Sequence, residues 1–452
     1  MNKLFYSLSI FIIFIFFSAD LLAQTFKITG EIRPRYEFRH GYKTLFPDDA
    51  KAANFISQRT RLNGFFSNNT FTAYISLQDV RVWGDVNQLN KGDVYGFSVH
   101  QAWAQVKFTK FMSIKVGRME IIYDDHRIFG NVGWTQQARS HDAAVLKFFF
   151  GDNNKIDVGF AYNAMEESLY QVAYTNKNYK AIQWAYYHGN FGKSGLSVLF
   201  LNNGLPYDSD ADTTKYDEKV AYSQTFGARY TFSGKKIKAN GAFYYQGGKN
   251  GKKFDTNHDP KKIQAFYFSA NVSFQIGTVF NLGFGGEYLS GTSSQDQARA
   301  DRSDFSFTPF YGTNHKFNGW MDYFYVGNYV GKNGLIDVYL PIKFKVKKWN
   351  FGVIPHYFMA AATISAYNPD EKKVTDYSSS LGTELDFFVK FALSKSVIIQ
   401  GGYSQMIATE TMQVVKYPDK VNSDFYKNGN NWAWVMLTFK PTFYNSDNKK
   451  KK

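Results

Sequence analysis

Downstream of residue 24 the chain alternates apolar and polar residues over long stretches, the period of strands with two unlike faces. In residues 25–39, Phe26, Ile28, Ile32, Tyr36 and Phe38 share one face, and Lys27, Glu31, Arg33, Arg35, Glu37 and Arg39 the other. At 335–347, Ile336, Val338, Leu340, Ile342, Phe344 and Val346 oppose Asp337, Tyr339, Lys343, Lys345 and Lys347. At 262–276, Phe266, Phe268, Val272, Phe274 and Ile276 oppose Tyr267, Ser269, Asn271, Ser273 and Gln275.

The connections follow a rule of their own. Short turns fall near 68–70, 109–111, 151–154, 190–194, 233–235, 277, 347–349 and 394–396. Long polar stretches lie between them, near 40–54, 82–96, 122–140, 164–180, 203–220, 247–262, 290–334, 361–378 and 408–428. Strict short–long alternation predicts an all-β, antiparallel transmembrane barrel of about eighteen strands, with short periplasmic turns and long extracellular loops. A barrel that wide keeps a lumen instead of filling it with wall side chains.

Composition agrees. Aromatic residues make up 19%, with 45 Phe and 32 Tyr, yet mean hydropathy is −0.38. Strands with one face toward lipid and one toward water need that balance. The absence of Cys removes a disulfide framework, a thiolate metal site, a Cys nucleophile and a lipoprotein anchor. Lys3 followed by the apolar run Leu8–Phe17 predicts a signal peptide over 1–23, cleaved near Ala23. The barrel is expected over 24–445, and a basic, disordered tail over 446–452.

Lys and Arg outnumber Asp and Glu by 53 to 38, a net charge of +15. In an exported chain this favours an anionic solute over nucleic acid. A cation in the lipid at mid-membrane costs about 2–4 kcal/mol, so strand charges should face the lumen. Arg33, Arg35, Arg59 and Arg61 then occupy one sector of it, with Lys107, Lys236, Lys238, Lys343, Lys345 and Lys390 elsewhere. The inward acids are Glu31, Glu37, Asp157, Glu287, Asp337, Glu384 and Asp386. The basic sector either selects anions, for which the guanidinium fork is suited, or braces the wall against Glu31 and Glu37. In the fifth strand, period-two phasing sends Arg118 outward. A β-bulge at Gly117 is expected to return Arg118 and Glu120 to the lumen; the alternative is a short, tilted strand that already carries Arg118 into the headgroup zone.

Several stretches taken in order resemble the alginate export family of outer-membrane porins. They are SQRTRLN at 57–63, LQDVRVWGD at 77–85, HQAWAQVKF at 100–108, VGRMEIIYDDHRIFGNVGW at 116–134, ARSHDA at 138–143 and GTNHKFNGWMDYF at 312–324. The resemblance implies a monomeric eighteen-stranded barrel, embedded in outer-membrane lipid, with a basic pore for a polyuronate. By position it marks Arg59, Arg61, Arg81, Arg118, Arg127 and Arg139 as family basic residues. Asp79, Glu120, Asp124, Asp142 and Asp322 sit at its acidic positions. Asp79, Arg81, Asp124, Arg127, Arg139, His315 and Asp322 are expected at the loops and mouth.

The expected function is passive passage of anionic solutes, uronates foremost. The alternatives are a general diffusion porin and a surface glycan-binding barrel. Catalysis is disfavoured because Ser140 and His141 are adjacent and would face opposite ways on a strand. No cofactor is expected; the run Asp124, Asp125 and His126 leaves a loop-bound Ca²⁺ open.

Overall fold

The computed structural model describes residues 24–89, 96–176, 178–208, 218–251, 260–299, 301–325 and 332–449. The expected signal peptide, residues 1–23, lies outside them.

Eighteen antiparallel strands close into one barrel. They are β1 (Thr25–His40), β2 (Ala53–Ser67), β3 (Phe71–Val82), β4 (Ser98–Lys107), β5 (Met112–Met119), β6 (His141–Phe150), β7 (Asn154–Tyr162), β8 (Ala181–Phe191) and β9 (Ser194–Asp208). Then come β10 (Glu218–Ser233), β11 (Ile237–Gly248), β12 (Ala265–Ile276), β13 (Phe280–Leu289), β14 (Leu335–Tyr339 with Ile342–Val346) and β15 (Trp349–Met359). The circuit ends with β16 (Ser380–Ala392), β17 (Val397–Ala408) and β18 (Asn430–Phe439 with Thr442–Asn445). β18 pairs back onto β1, Ile32 opposite Phe439 and Tyr36 opposite Val435. The hairpin Ile364–Asn368 and Lys373–Tyr377 stands apart from the wall in its own small sheet.

β14 and β18 are each broken at a proline, Pro341 and Pro441. Proline has no N–H for the ladder. In both cases the neighbouring strand's glycine bonds to the proline carbonyl, Gly283 N to Pro341 O at 2.8 Å and Gly30 N to Pro441 O at 2.9 Å. The chain stays ordered past the expected barrel end, because Ser446–Lys449 form a short turn whose Ser446 Oγ accepts from Phe26 N at 2.9 Å. Residues 450–452 of the expected tail lie outside the described residues.

Outward side chains are large and apolar: Ile32, Leu62, Phe226, Tyr230, Phe243, Phe268, Phe284 and Val435 are all exposed. The inward faces change along the barrel. On β11, Lys238 near the short turns is exposed and Asn240 half-buried, whereas Ala242, Tyr244 and Gln246 are buried. β12 repeats this from Ser273 and Asn271 to Ser269, Tyr267 and Ala265. The lumen is therefore packed toward the long loops and open toward the short turns. The packing is supplied by two long connections folded inward, whose Phe129, Phe307, Met321, Tyr323 and Phe324 are almost fully buried, together with Leu45 and with Met412 of the helix Glu410–Lys416.

The expected bulge at Gly117 is not there. β5 pairs regularly with both neighbours through Gly117, Trp103 on one side and Ala143 on the other. Arg118 accordingly follows Ile114 and Val116 outward and pairs with the exposed Asp142 at 2.7 Å. It lies one residue before the strand ends at Met119, and an ion pair at that edge lessens the cost of its charge. Gly117 has φ +121°, and a Cβ there would lie 2.3 Å from the Ala102 carbonyl, so glycine serves a tight twist. The nearby register shift sits in β3, between Ser76 and Leu77.

Candidate functional site: a clasped plug above a lysine vestibule

The two inward connections, residues 120–140 and 305–325, are joined to each other. Gly130 N donates to Tyr311 O at 2.9 Å and Thr313 N to His126 O at 2.9 Å. Arg139 Nη1 donates to Gly312 O at 3.2 Å. Together they form a plug, and two sectors of wall hold it.

The first clasp is the arginine sector. Arg33 donates to the carbonyls of Gly133 (2.7 Å), Trp134 (3.1 Å) and Thr135 (3.0 Å) and to Gln136 Oε1 (2.9 Å). Arg35 Nη1 reaches Trp134 O at 2.6 Å and its Nη2 pairs with Glu37 at 2.7 Å. Arg59 pairs with Glu31 at 2.5 Å. Arg61 donates to Gln78 Oε1 at 2.8 Å, and Gln78 in turn donates to Gln137 O at 3.0 Å. A guanidinium offers five donors and cannot accept, so backbone carbonyls entering a low-dielectric lumen find their partners here. Arg33, Arg35 and Arg59 are buried.

The second clasp is acidic. Glu384 Oε1 accepts from Met321 N at 2.8 Å and Asp386 Oδ2 from Trp320 N at 3.2 Å. Asn318 Nδ2 bridges Glu287 (3.1 Å) and Asp337 (3.2 Å). His356 Nδ1 lies 2.9 Å from Asp337 and its Nε2 3.7 Å from Asp386. Gly319 (φ +79°) packs on Glu384, whose Oε2 would sit 2.6 Å from an added Cβ. Arg127, expected at the mouth, instead enters this sector and pairs with Glu287 at 2.7 Å, 2% exposed.

The other expected mouth residues divide. Asp79 and Arg81 form a bidentate pair at 2.7 and 2.8 Å. Asp322 accepts from Tyr42 and lies 2.9 Å from His315 Nδ1. Burial alone would raise the Asp322 carboxyl, but His315, Tyr42 and Lys43 hold it below its usual range. Arg81 and Asp322 border one cavity of about 420 Å³ with Arg35 and Arg39. Asp124 accepts from Ser197 at 2.6 Å and Tyr186 at 2.8 Å, whereas Asp125 pairs with Arg229 at 2.5 Å. The consecutive acids therefore diverge. Among the described residues no group of three or more His, Cys, Asp or Glu has metal-holding geometry.

Below the plug is the vestibule. Two adjoining cavities of about 410 and 380 Å³ share Lys316, Trp320 and Lys343. Lys238 lines one and Lys390 the other. Lys345, nearer the turns, is exposed. The expected pore residues that do face the lumen thus fall into two sets, arginines that hold the plug and lysines facing open space, whereas Arg118 lies on the outer face against Asp142. Sequence reasoning could place these charges inward but had no signal for which would meet backbone carbonyls, since the returning loops carry no periodicity.

A closed eighteen-stranded wall with two loops folded into its lumen defines a porin-type barrel. Among solved structures, the chain is similar to OccAB4 of Acinetobacter baumannii, with TM-score 0.58 and 13% identity, covering 93% of this chain and 98% of that one. It is similar to OccK11 (OpdR) of Pseudomonas aeruginosa, with TM-score 0.55 and 9% identity over 93% and 96%. It is also similar to OpdK of Pseudomonas aeruginosa, solved with vanillate, with TM-score 0.55 and 8% identity over 92% and 99%. At these identities the likeness is one of fold. No protein-family model matches the chain, and no curated protein sequence does.

Proposed function

We propose that the protein is a monomeric outer-membrane channel through which small anionic solutes pass passively, with both termini periplasmic. The observation that carries this reading is the vestibule: Lys238, Lys343 and Lys390 line it, and none has a hydrogen-bond or ion-pair partner among the described residues. A charge left unpaired beside water is free to bind counter-ions and raise the local anion concentration. The apolar outer face and the barrel closure support residence in lipid.

Uronates are the solute class that the resembled motifs favour. Short uronates suit the vestibule; a whole polysaccharide strand would need both plug loops to leave the lumen. Planar-bilayer recording across a KCl gradient tests the reading. An anion-selective reversal potential and block by oligouronates are expected. A non-selective conductance would instead favour a general diffusion porin.

A further inference from the structure

The smaller vestibule cavity differs from the rest of the lumen. Its volume is about 380 Å³, and no carboxylate lines it. Lys343 and Lys390 border it from the wall, and Lys316 from the plug. The remaining surface is largely aromatic. Trp134 and Trp320 descend from the plug; Phe388 and Trp434 rise from the wall. Trp320 meets Phe388 at 5.8 Å and Trp134 meets Trp434 at 4.8 Å, both edge to face.

The wall is built for this. One register row runs Lys343, Gly352, Phe388, Gly402 and Trp434 across β14 to β18. An added Cβ at Gly402 would fall 2.4 Å from Trp434 Nε1, and one at Gly352 would fall 3.1 Å from the Phe388 ring. The two glycines let the rings lie down against the wall. Trp434 is 6% exposed, and its indole Nε1 has no acceptor among the described residues. Lys343 and Lys390 stand two strands apart and two residues out of register, roughly 12 Å between backbones, a gap that two four-carbon stems can close on one anion.

We infer that this chamber is a binding subsite for a single six-membered ring bearing one carboxylate. The carboxylate sits between Lys343 and Lys390, and the ring face lies against Trp320 and Phe388. The volume suits one such ring at a time. Both an aromatic acid and a uronic sugar have this chemistry: a flat C–H or π face and one negative charge. The inference deepens the channel reading and rests on it, because the chamber is reached through the vestibule.

Calorimetric titration of the full chain, refolded in detergent, tests it with benzoate, D-mannuronate and acetate as probes. Saturable binding of a ring acid at least tenfold tighter than acetate is expected. Benzoate alone binding assigns an aromatic acid, and mannuronate alone a uronic sugar. K343Q/K390Q should weaken the ring acid at least tenfold, and K343R/K390R should retain it, which separates charge from folding. W320L should bring the ring acid down to the acetate level. No saturable binding of either ring acid, or equal binding in K343Q/K390Q, overturns the subsite. If reversal potentials then still show anion preference, the channel reading survives and only the subsite falls.

Discussion

Arg127 Nη2 meets the Glu287 carboxylate at 2.7 Å across 160 residues of sequence, with both side chains shut off from water. Asn318 touches both residues, so one pair joins the first plug loop, the second and the wall. Removing one partner of a buried pair leaves the other charge uncompensated, at about 3–5 kcal/mol. R127M should therefore loosen residues 120–140 and 305–325 while the wall stays closed, and R127M/E287Q should recover part of the loss. Hydrogen exchange of the backbone amides checks this; wall strands losing protection together with the loops would contradict it.

The two cation sets predict opposite phenotypes. R33Q/R35Q takes donors from the Gly133–Gln136 carbonyls, so it should destabilise the plug and enlarge or destabilise the conductance. K238Q/K343Q/K390Q touches no loop carbonyl, so it should keep the conductance and move the reversal potential toward cations. The shift should fade in 1 M salt, where the Debye length is about 3 Å. Selectivity following the arginines instead would reassign the pore.

Acid should act at Asp322. Its carboxyl is held below the ordinary value of 3.8, so the ionised form is favoured in the folded state. That stabilisation is complete above the ordinary value and is lost as pH falls through the depressed one. As pH falls through that depressed value the Tyr42–Asp322–His315 contact should open, and tryptophan emission should change as His315 leaves Trp134, on which it stacks at 4.4 Å. D322N should remove most of this acid response; an unchanged transition would place it elsewhere.

Lys416 points the other way. It is half-buried at the edge of the loop core, donates to Tyr323 O at 2.5 Å, and desolvation followed by nearby Lys332 pushes its ammonium well below the ordinary 10.5. A lowered folded value means the neutral amine is favoured, so this residue costs stability at neutral pH and the cost declines as pH rises. K416M should stabilise the loop core at pH 7 by roughly 1–3 kcal/mol, with the gain shrinking toward pH 10. Thermal unfolding of the loops at both pH values decides it.

Most of the wall was legible from the chain. Period two put Ile32 and Tyr36 outside and Arg33 and Arg35 inside, because a strand has no other way to separate them. Turn length gave the strand number, since each short connection forces a hairpin. Phasing was sufficient even at Arg118, where adding a bulge spoiled a correct reading; the missing fact was Asp142 across the sheet, a neighbour only the register supplies. The plug was the illegible part. Its loops owe their path to single pairings such as Arg33 with Gly133 and Glu384 with Met321, far apart in sequence and without period. The family-like stretches at 116–134 and 312–324 did coincide with it, although their residues were expected at the mouth.

The clasps also set an order in time. Arg33 waits 100 residues for Gly133, and the acids that hold residues 318–321 come from β13, β14 and β16, of which the last two strands are made after that loop. The second loop has no docking face until strands that precede it and strands that follow it in the chain stand in one wall. Non-local contacts of this kind form late, because chain closure must come first. The barrel should therefore pass through an unplugged, wide-bore stage during biogenesis, and the last event of maturation would be the settling of its own loops into a cylinder already sealed.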